Sequence, residues 1–329
     1  MNVSADAQRL RRAVSECIEP GPVVLGCSGG PDSLALADAA AWAVPHIGGI
    51  VTVAVIDHGL QEGSADVARS AADACRAVGI EDVEIRRVHV GVEGGPEAAA
   101  RAARREALLD IARARGSGQI LLAHTLDDQA ETVLLRLARG AGARSLSAMR
   151  ACDAPWHRPF LDIPRTVVHH VVRERFGPLG IAPWDDPHNH DPRFARVRVR
   201  WTLDALREDL GPGLVANLAR SAALLGDDAD ALDAWAHGEF ERIVQRDGSL
   251  CSAETRALTE LPRAVRTRVL RLMHQYLVGL NEALTFEHIQ QVDALVARWK
   301  GQGPVALPGG TTAYVECGRL ALLTQPRES

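Results

Sequence analysis

An apolar run, Val23-Val-Leu-Gly-Cys27, stops at Ser28-Gly-Gly-Pro-Asp-Ser33, and a helix-like pattern, Leu34-Ala-Leu-Ala, begins directly after it. A buried strand that turns through glycines into a helix aims backbone N–H groups and the positive end of the helix dipole at one point. Gly29 and Gly30 permit a positive φ and close approach of an anion, and Pro31 suits a first helical turn. Ser28 and Ser33 add hydroxyl donors, and Asp32 adds a carboxylate able to hold magnesium beside phosphate. An ordinary capped turn needs one polar residue of this kind. The whole string therefore reads as a phosphate-binding loop, with Ser28, Gly29, Gly30, Pro31, Asp32 and Ser33 as nucleotide contacts. It holds no lysine, which separates it from the G-x-x-x-x-G-K-[ST] loops.

The surrounding pattern alternates. Strand-like runs at 22–27, 49–56, 83–88 and 119–123 are separated by helix-like runs at 33–44, 65–78 and 96–115, after an opening helix over 5–18 capped by Ser4. Short strands, apolar throughout and joined by helices, predict a Rossmann-like α/β domain: a parallel sheet with helices on both faces. Ligands of such sheets collect outside the carboxyl ends of the strands, which here means the loops 28–33, 57–60 and 124–131. After Gly211-Pro-Gly the pattern becomes helical, with runs at 214–245, 262–278 and 285–299, then two strand-like runs in 305–323. We expect two domains, 1–210 and 211–329, the second smaller, mainly helical and ending in a β hairpin.

Composition narrows the function. The six cysteines form no C-x-x-C pair, which argues against a disulfide framework, a zinc site or a cluster. No secretory leader or membrane span is read, so a cytoplasmic location is expected. Lys300 is the only lysine among 37 basic residues, which removes mechanisms that need a catalytic lysine. The net charge of −5 speaks against nucleic acid unless the arginines cluster.

They do cluster. Arg136, Arg139, Arg144 and Arg150 fall in a stretch without an acid; Arg193, Arg196, Arg198 and Arg200 interleave with Trp184, Phe194 and Trp201; five more lie within 256–271. Such runs suit phosphate contact and base stacking, and each alone equally suits a solvated face. Two further sets lie near the strand ends. Asp57-His58-Gly-Leu60 can place a carboxylate and an imidazole beside a nucleotide, though alone it reads as a capped turn. Glu97, Arg101 and Arg104 share one helix face, facing phosphate or forming a solvated ion-pair array. His124-Thr-Leu-Asp127-Asp128-Gln-Ala-Glu131 puts Asp128 and Glu131 at i, i+3, able to hold an ammonium group or a metal, with Thr125 as a possible helix cap.

The S-G-G-x-D-S string resembles the loop of the ATP pyrophosphatase superfamily, of adenine nucleotide alpha hydrolase-like fold. With D-H-G-L, E-x-x-x-R-x-x-R, H-x-x-D-D-Q-x-E-T, Arg158-Pro-Phe-Leu and W-x-D-x-x-N-x-D-x-x-F-x-R, the chain resembles the tRNA(Ile)-lysidine synthase family, in its short form. Arg105 stands where that family commonly has tyrosine, and Val197 where asparagine is usual. The resemblance implies a ligase that uses ATP and Mg2+ to join free L-lysine to C2 of the wobble cytidine of a CAU-anticodon isoleucine tRNA. It implies ATP contacts from the loop, Asp57, His58 and Arg101. Asp32, Arg104, His124 and Asp128 would be catalytic, with Mg2+ on Asp32. Asp128 and Glu131 would bind lysine. Arg139, Arg193, Arg196, Arg198 and Arg200 would bind tRNA, along with the second domain. A cytidine-thiolating relative and a non-catalytic ATP sensor are the alternatives, and the sequence leaves a homodimer open.

Overall fold

A computed structural model describes residues 3–59, 63–91, 95–279, 282 and 284–324, the side chains of Pro96 and Glu97 excepted. The chain divides into two compact units, Met1–Leu224 and Leu225–Ser329. The sequence reading put the domain boundary at 210/211.

The first unit runs α1 (Ala5–Cys17), β1 (Pro22–Cys27), α2 (Pro31–His46), β2 (Ile50–Asp57), α3 (Ser64–Ala77), β3 (Val83–Arg87), α4 (Pro96–Ala114) and β4 (Ile120–Leu121). It continues through α5 (Leu126–Leu137), α6 (Ala143–Leu146), β5 (Cys152–Asp153), β6 (Trp156–His157), α7 (Arg165–Phe176) and α8 (Ala195–Leu210). Ser4 caps α1 by accepting from the Ala7 N–H at 3.2 Å. The six strands lie in the order β3-β2-β1-β4-β6-β5, all parallel except β5 on β6. Alternation along β1 feeds two cores. Val23, Leu25 and Cys27 pack with α1, α2, α3 and α7, where Leu10, Leu34 and Phe176 are fully buried. Val24 packs on the other face with Ala54, Leu108, Ile111, Ile120 and Trp156. Helix α2 is buried along most of its length, and its alanines let α1 and α7 approach closely.

Strand order positions the site. From β1 the chain crosses to β2 on one side, while β4 lies on the other, so the loops after β1 and β4 part at a switch point. A crevice at the carboxyl ends follows from that parting.

The division between units falls within α9 (Leu214–Ile243). The second unit adds β7 (Gln245–Asp247), β8 (Leu250–Glu254), α10 (Thr255–Glu260), α11 (Arg263–Val278), α12 (Phe286–Ala297), β9 (Val305–Leu307), β10 (Thr311–Glu316) and β11 (Arg319–Thr324). The expected hairpin is present as β10–β11, inside a five-stranded antiparallel sheet ordered β7-β8-β11-β10-β9. Helices α11 and α12 cover it through Val265, Val269, Met273, Ile289 and Val292. Arg266 donates to Asp293 at 2.7 Å, both nearly buried.

Candidate active site

The phosphate loop is held from within. Gly29 has φ +81°, and a Cβ there would stand 3.0 Å from the Ala71 Cβ, so the position needs glycine for conformation and for space. The Ser33 hydroxyl donates to the Gly30 carbonyl at 2.9 Å and accepts from the Ser28 N–H at 3.2 Å. Gly30 caps α2 without a side chain, leaving the first N–H groups of the helix for a ligand. Trp184 packs beside Gly29, and its N–H donates to the Gly29 carbonyl at 2.9 Å. Asp32 extends from the first turn, and its Oδ1 lies 3.2 Å from Nε2 of His169 on α7.

Strand β2 delivers Asp57, buried, accepting from the Gly59 N–H at 2.9 Å. Burial opposes its ionisation, but the Gly59 N–H, the Ser64 hydroxyl and the Arg87 guanidinium together hold it below the usual carboxylate range. Leu60 lies outside the described residues, as does the side chain of Glu97. Arg101 and Arg104 on α4 stand with Arg105, Arg158 and Arg196 in one positive group. Desolvation and then Arg196, Arg104, Arg105 and Arg158 push Arg101 down to about 10. Burial, then Arg196 and Arg105, lower Arg104. Among the described residues no carboxylate pairs with Arg101, Arg104 or Arg196. Guanidinium groups stay charged in proteins, so the group concentrates positive charge where an anion has to supply the balance.

Two histidines face these arginines. Burial, then the charge of Arg104, lowers His58. Burial pushes His124 down to about 3, with Arg158, Arg104 and Arg101 adding to it against Asp128. In each ring Nδ1 is buried without a hydrogen-bond partner among the described residues. Both rings are neutral at pH 7, and each keeps one nitrogen for a ligand.

The acids after β4 are compensated instead. Asp128 Oδ2 accepts from the Thr125 N–H and hydroxyl, each at 2.8 Å, so Thr125 is the helix cap and Asp128 its reciprocal partner. Asp128 Oδ1 accepts from Arg165 at 2.9 Å. Glu131, 2% exposed, accepts through Oε1 from Arg165 at 3.1 Å and from Arg200 at 3.0 Å. Asp127 accepts from the Arg165 N–H at 2.8 Å and from the Arg207 guanidinium at 3.3 Å. Burial opposes ionisation of Asp128, yet Arg165, His124 and the Thr125 donors hold its pKa low. Arg165, His169 and Arg207 were absent from the sequence reading. Arg165 follows the Arg158-Pro-Phe-Leu string, but nothing local marks it as the partner of acids more than thirty residues earlier.

The five arginines expected on tRNA separate. Arg139 and Arg193 are exposed, the latter paired with Asp191 at 2.6 Å. Arg198 is exposed but braces the chain by donating to the Pro192 and Arg193 carbonyls at 2.6 and 3.0 Å. Arg196 belongs to the positive group, and Arg200 holds Glu131. The exposed ring of Trp201 lies beside them on α8. The two departures also have structural settings. Arg105 stacks over the Trp156 ring at 4.1 Å from its centroid, and Val197 is buried.

Comparison with known proteins shows the family. Residues 3–205 match a family model described as a PP-loop domain, and residues 255–321 one described as a TilS substrate binding domain. A tRNA(Ile)-lysidine synthase of Thermobifida fusca is 48% identical over 91% of this chain and 91% of its own. That of Salinispora tropica is 45% identical over 98% and 96%. Among solved structures, the U34-tRNA thiolase NcsA from Methanococcus maripaludis, with its [4Fe-4S] cluster, superposes with a TM-score of 0.56 at 19% identity over 68% of this chain and 78% of its own, a likeness of fold. Among the described residues no helix is long and apolar enough to cross a membrane.

Proposed function

The chain belongs to the tRNA(Ile)-lysidine synthase family of PP-loop enzymes, and from that premise we propose how its residues carry the reaction. The enzyme uses ATP to ligate lysine to C2 of the wobble cytidine in isoleucine tRNA with a CAU anticodon. The C2 oxygen attacks the α-phosphate and pyrophosphate leaves. The lysine ε-amine then attacks C2, the C–O bond breaks, and AMP departs with the former C2 oxygen.

Ser28, Gly29, Gly30 and Ser33 hold the β- and γ-phosphates through loop N–H groups and hydroxyls, and Pro31, which has no N–H to donate, fixes the first helical turn beside them. Asp57, His58 and Arg101 line the rest of the nucleotide site. Arg104, which has no carboxylate partner among the described residues, stabilises the α-phosphate as charge builds in the transition state. Asp32 suits magnesium: it is a half-exposed carboxylate, and His169 is its only side-chain partner among the described residues. Bound there, magnesium would neutralise phosphate charge. Asp128 and Glu131 receive the lysine ammonium. His124, near both Asp128 and the arginines, is neutral with an unpartnered Nδ1 and offers the reacting groups a hydrogen-bond partner. Exposed Arg139, Arg193 and Arg198 contact tRNA phosphates, while Arg196 and Arg200 act where tRNA and the reacting groups meet. We propose a cytoplasmic location, where tRNA and free ATP are both available.

One observation carries this reading: Arg101, Arg104 and Arg196, without a carboxylate partner among the described residues, stand with His58 and His124 at the carboxyl ends of β2 and β4. Thiolation is disfavoured because the six free cysteines provide no C-x-x-C pair. The test is exchange of labelled pyrophosphate into ATP by the enzyme with a CAU-anticodon isoleucine transcript, without lysine. Exchange that requires the transcript supports adenylation of the base. Exchange without it, or none, contradicts the assignment.

A further inference from the structure

The acids and arginines after β4 balance. Asp127, Asp128 and Glu131 meet Arg165, Arg200 and Arg207, three carboxylates against three guanidiniums. A lysine ammonium arriving at a balanced set gains little net attraction, because each nearby carboxylate already faces a cation. For the acids to hold it strongly, a resident cation has to yield. The three residents differ. Of the three acids, Arg207 reaches only Asp127, at 3.3 Å, with a further contact to Asp204 at 3.8 Å, and Arg200 reaches only Glu131, at 3.0 Å. Arg165 alone bridges Asp128 and Glu131, at 2.9 and 3.1 Å, and its side chain is the least exposed of the three at 17%. It therefore covers the position an ammonium shared by these two acids would take. It also has an alternative acid nearby. Arg165 feels the charge of Asp32, and His169, one turn further along α7, touches Asp32 directly.

We propose that Arg165 is the resident counter-ion of the lysine subsite, and that lysine enters by exchanging with its guanidinium on Asp128 and Glu131. The proposal rests on the reading of those acids as the lysine site. In the unloaded enzyme Arg165 keeps two buried carboxylates paired, which avoids the cost of isolated buried charge. In the loaded enzyme the substrate takes that role. The exchange lowers apparent lysine affinity by the fraction of time the site is free of Arg165, and it rejects any ligand that cannot replace a cation.

Equilibrium dialysis of labelled L-lysine against full-length wild-type enzyme and the Arg165→Met, Arg165→Gln and Asp128→Asn variants tests this. Removing the resident is expected to tighten lysine binding about tenfold, the gain for a site free about a tenth of the time. Methylguanidine is expected to compete with lysine in the Arg165→Met variant and not in the wild type. The unloaded variant is expected to melt several degrees lower, with lysine restoring the loss. If Arg165→Met does not fold, Arg165→Gln, which retains hydrogen-bond donors, carries the same expectation. Weaker or unchanged lysine binding in a folded variant, with no effect of methylguanidine, overturns the exchange and makes Arg165 a fixed part of the site. Unchanged lysine binding in Asp128→Asn overturns the reading of the acids themselves, whatever the Arg165 variants do.

Discussion

The two sides of the crevice solve opposite electrostatic problems. Around α4, charge is left uncompensated: Arg101 and Arg104 of α4 and Arg196 of α8 have no carboxylate partner among the described residues, and Arg196 lowers the pKa of both others. After β4, charge is closed: each of three acids is paired with an arginine. An uncompensated group awaits a ligand that brings the missing charge and leaves with its own, as ATP does when pyrophosphate departs. A compensated group stays stable without its ligand and admits one only by exchange. On the proposed reading, the side open to phosphate serves anion capture and the acid side serves selection.

Substitutions on the two sides should therefore break different steps. Asp128→Asn is expected to reduce lysine transfer by about 100-fold or more while ATP binding stays within error, since the lost charge belongs to the second step; loss of ATP binding as well would show that the two sides are not separable. Arg104→Ala is expected to lower transcript-dependent pyrophosphate exchange by about 100-fold, the usual scale for one donor to a developing oxyanion. Nucleotide affinity measured without the transcript should change much less. Gly29→Ala tests the loop itself. It forces a non-glycine residue to φ +81° and brings a methyl 3.0 Å from Ala71, so a stability loss of about 1–2 kcal/mol in denaturant melts is expected from conformation alone, together with weaker ATP binding.

The histidines give the comparison a pH dependence. The unfolded chain takes up protons on histidine near the ordinary value of 6.5, whereas folded His124 does so only at about 3. Between those values the unfolded state binds more protons, so stability falls as pH is lowered from 6.5 and is fully retained above it. His58 adds in the same direction. Thermal melts of His124→Asn should show a shallower acid slope than wild type. The smallest effect expected is at the rim: Arg193→Ala should weaken tRNA binding to matched and unmatched transcripts alike and reduce the salt slope by about one.

What the sequence made legible was local. The strand, glycine turn and helix at 22–46 could be read because each residue type in the loop has one conformational reason to be there, and the structure closes that loop through Ser33 as a strand-to-helix turn requires. Strands β7 and β8 were missed: Gln245–Asp247 is polar and exposed, as edge strands tend to be, and Leu250–Glu254 is a five-residue run whose place in the sheet comes from pairing with β11. The partners of Asp128 and Glu131 were missed for a different reason. Arg165 and Arg200 come from α7 and α8, and only tertiary folding brings them to α5. Arg196 and Arg200 read in sequence as part of one arginine–aromatic run. Arg196 and Arg200 stand one turn apart on the same face of α8, the first among the arginines of α4 and the second paired with Glu131, so a single run meets both charge groups.

The central claim is that these two sides act in turn on one RNA base. Its most direct test is incorporation of labelled lysine into RNA by the purified enzyme with ATP and magnesium, given isoleucine and methionine transcripts that share the CAU anticodon. Label in the isoleucine transcript alone is the expected result. Label in neither, with ATP still bound, would contradict the account and leave the open and closed charge groups without a shared reaction.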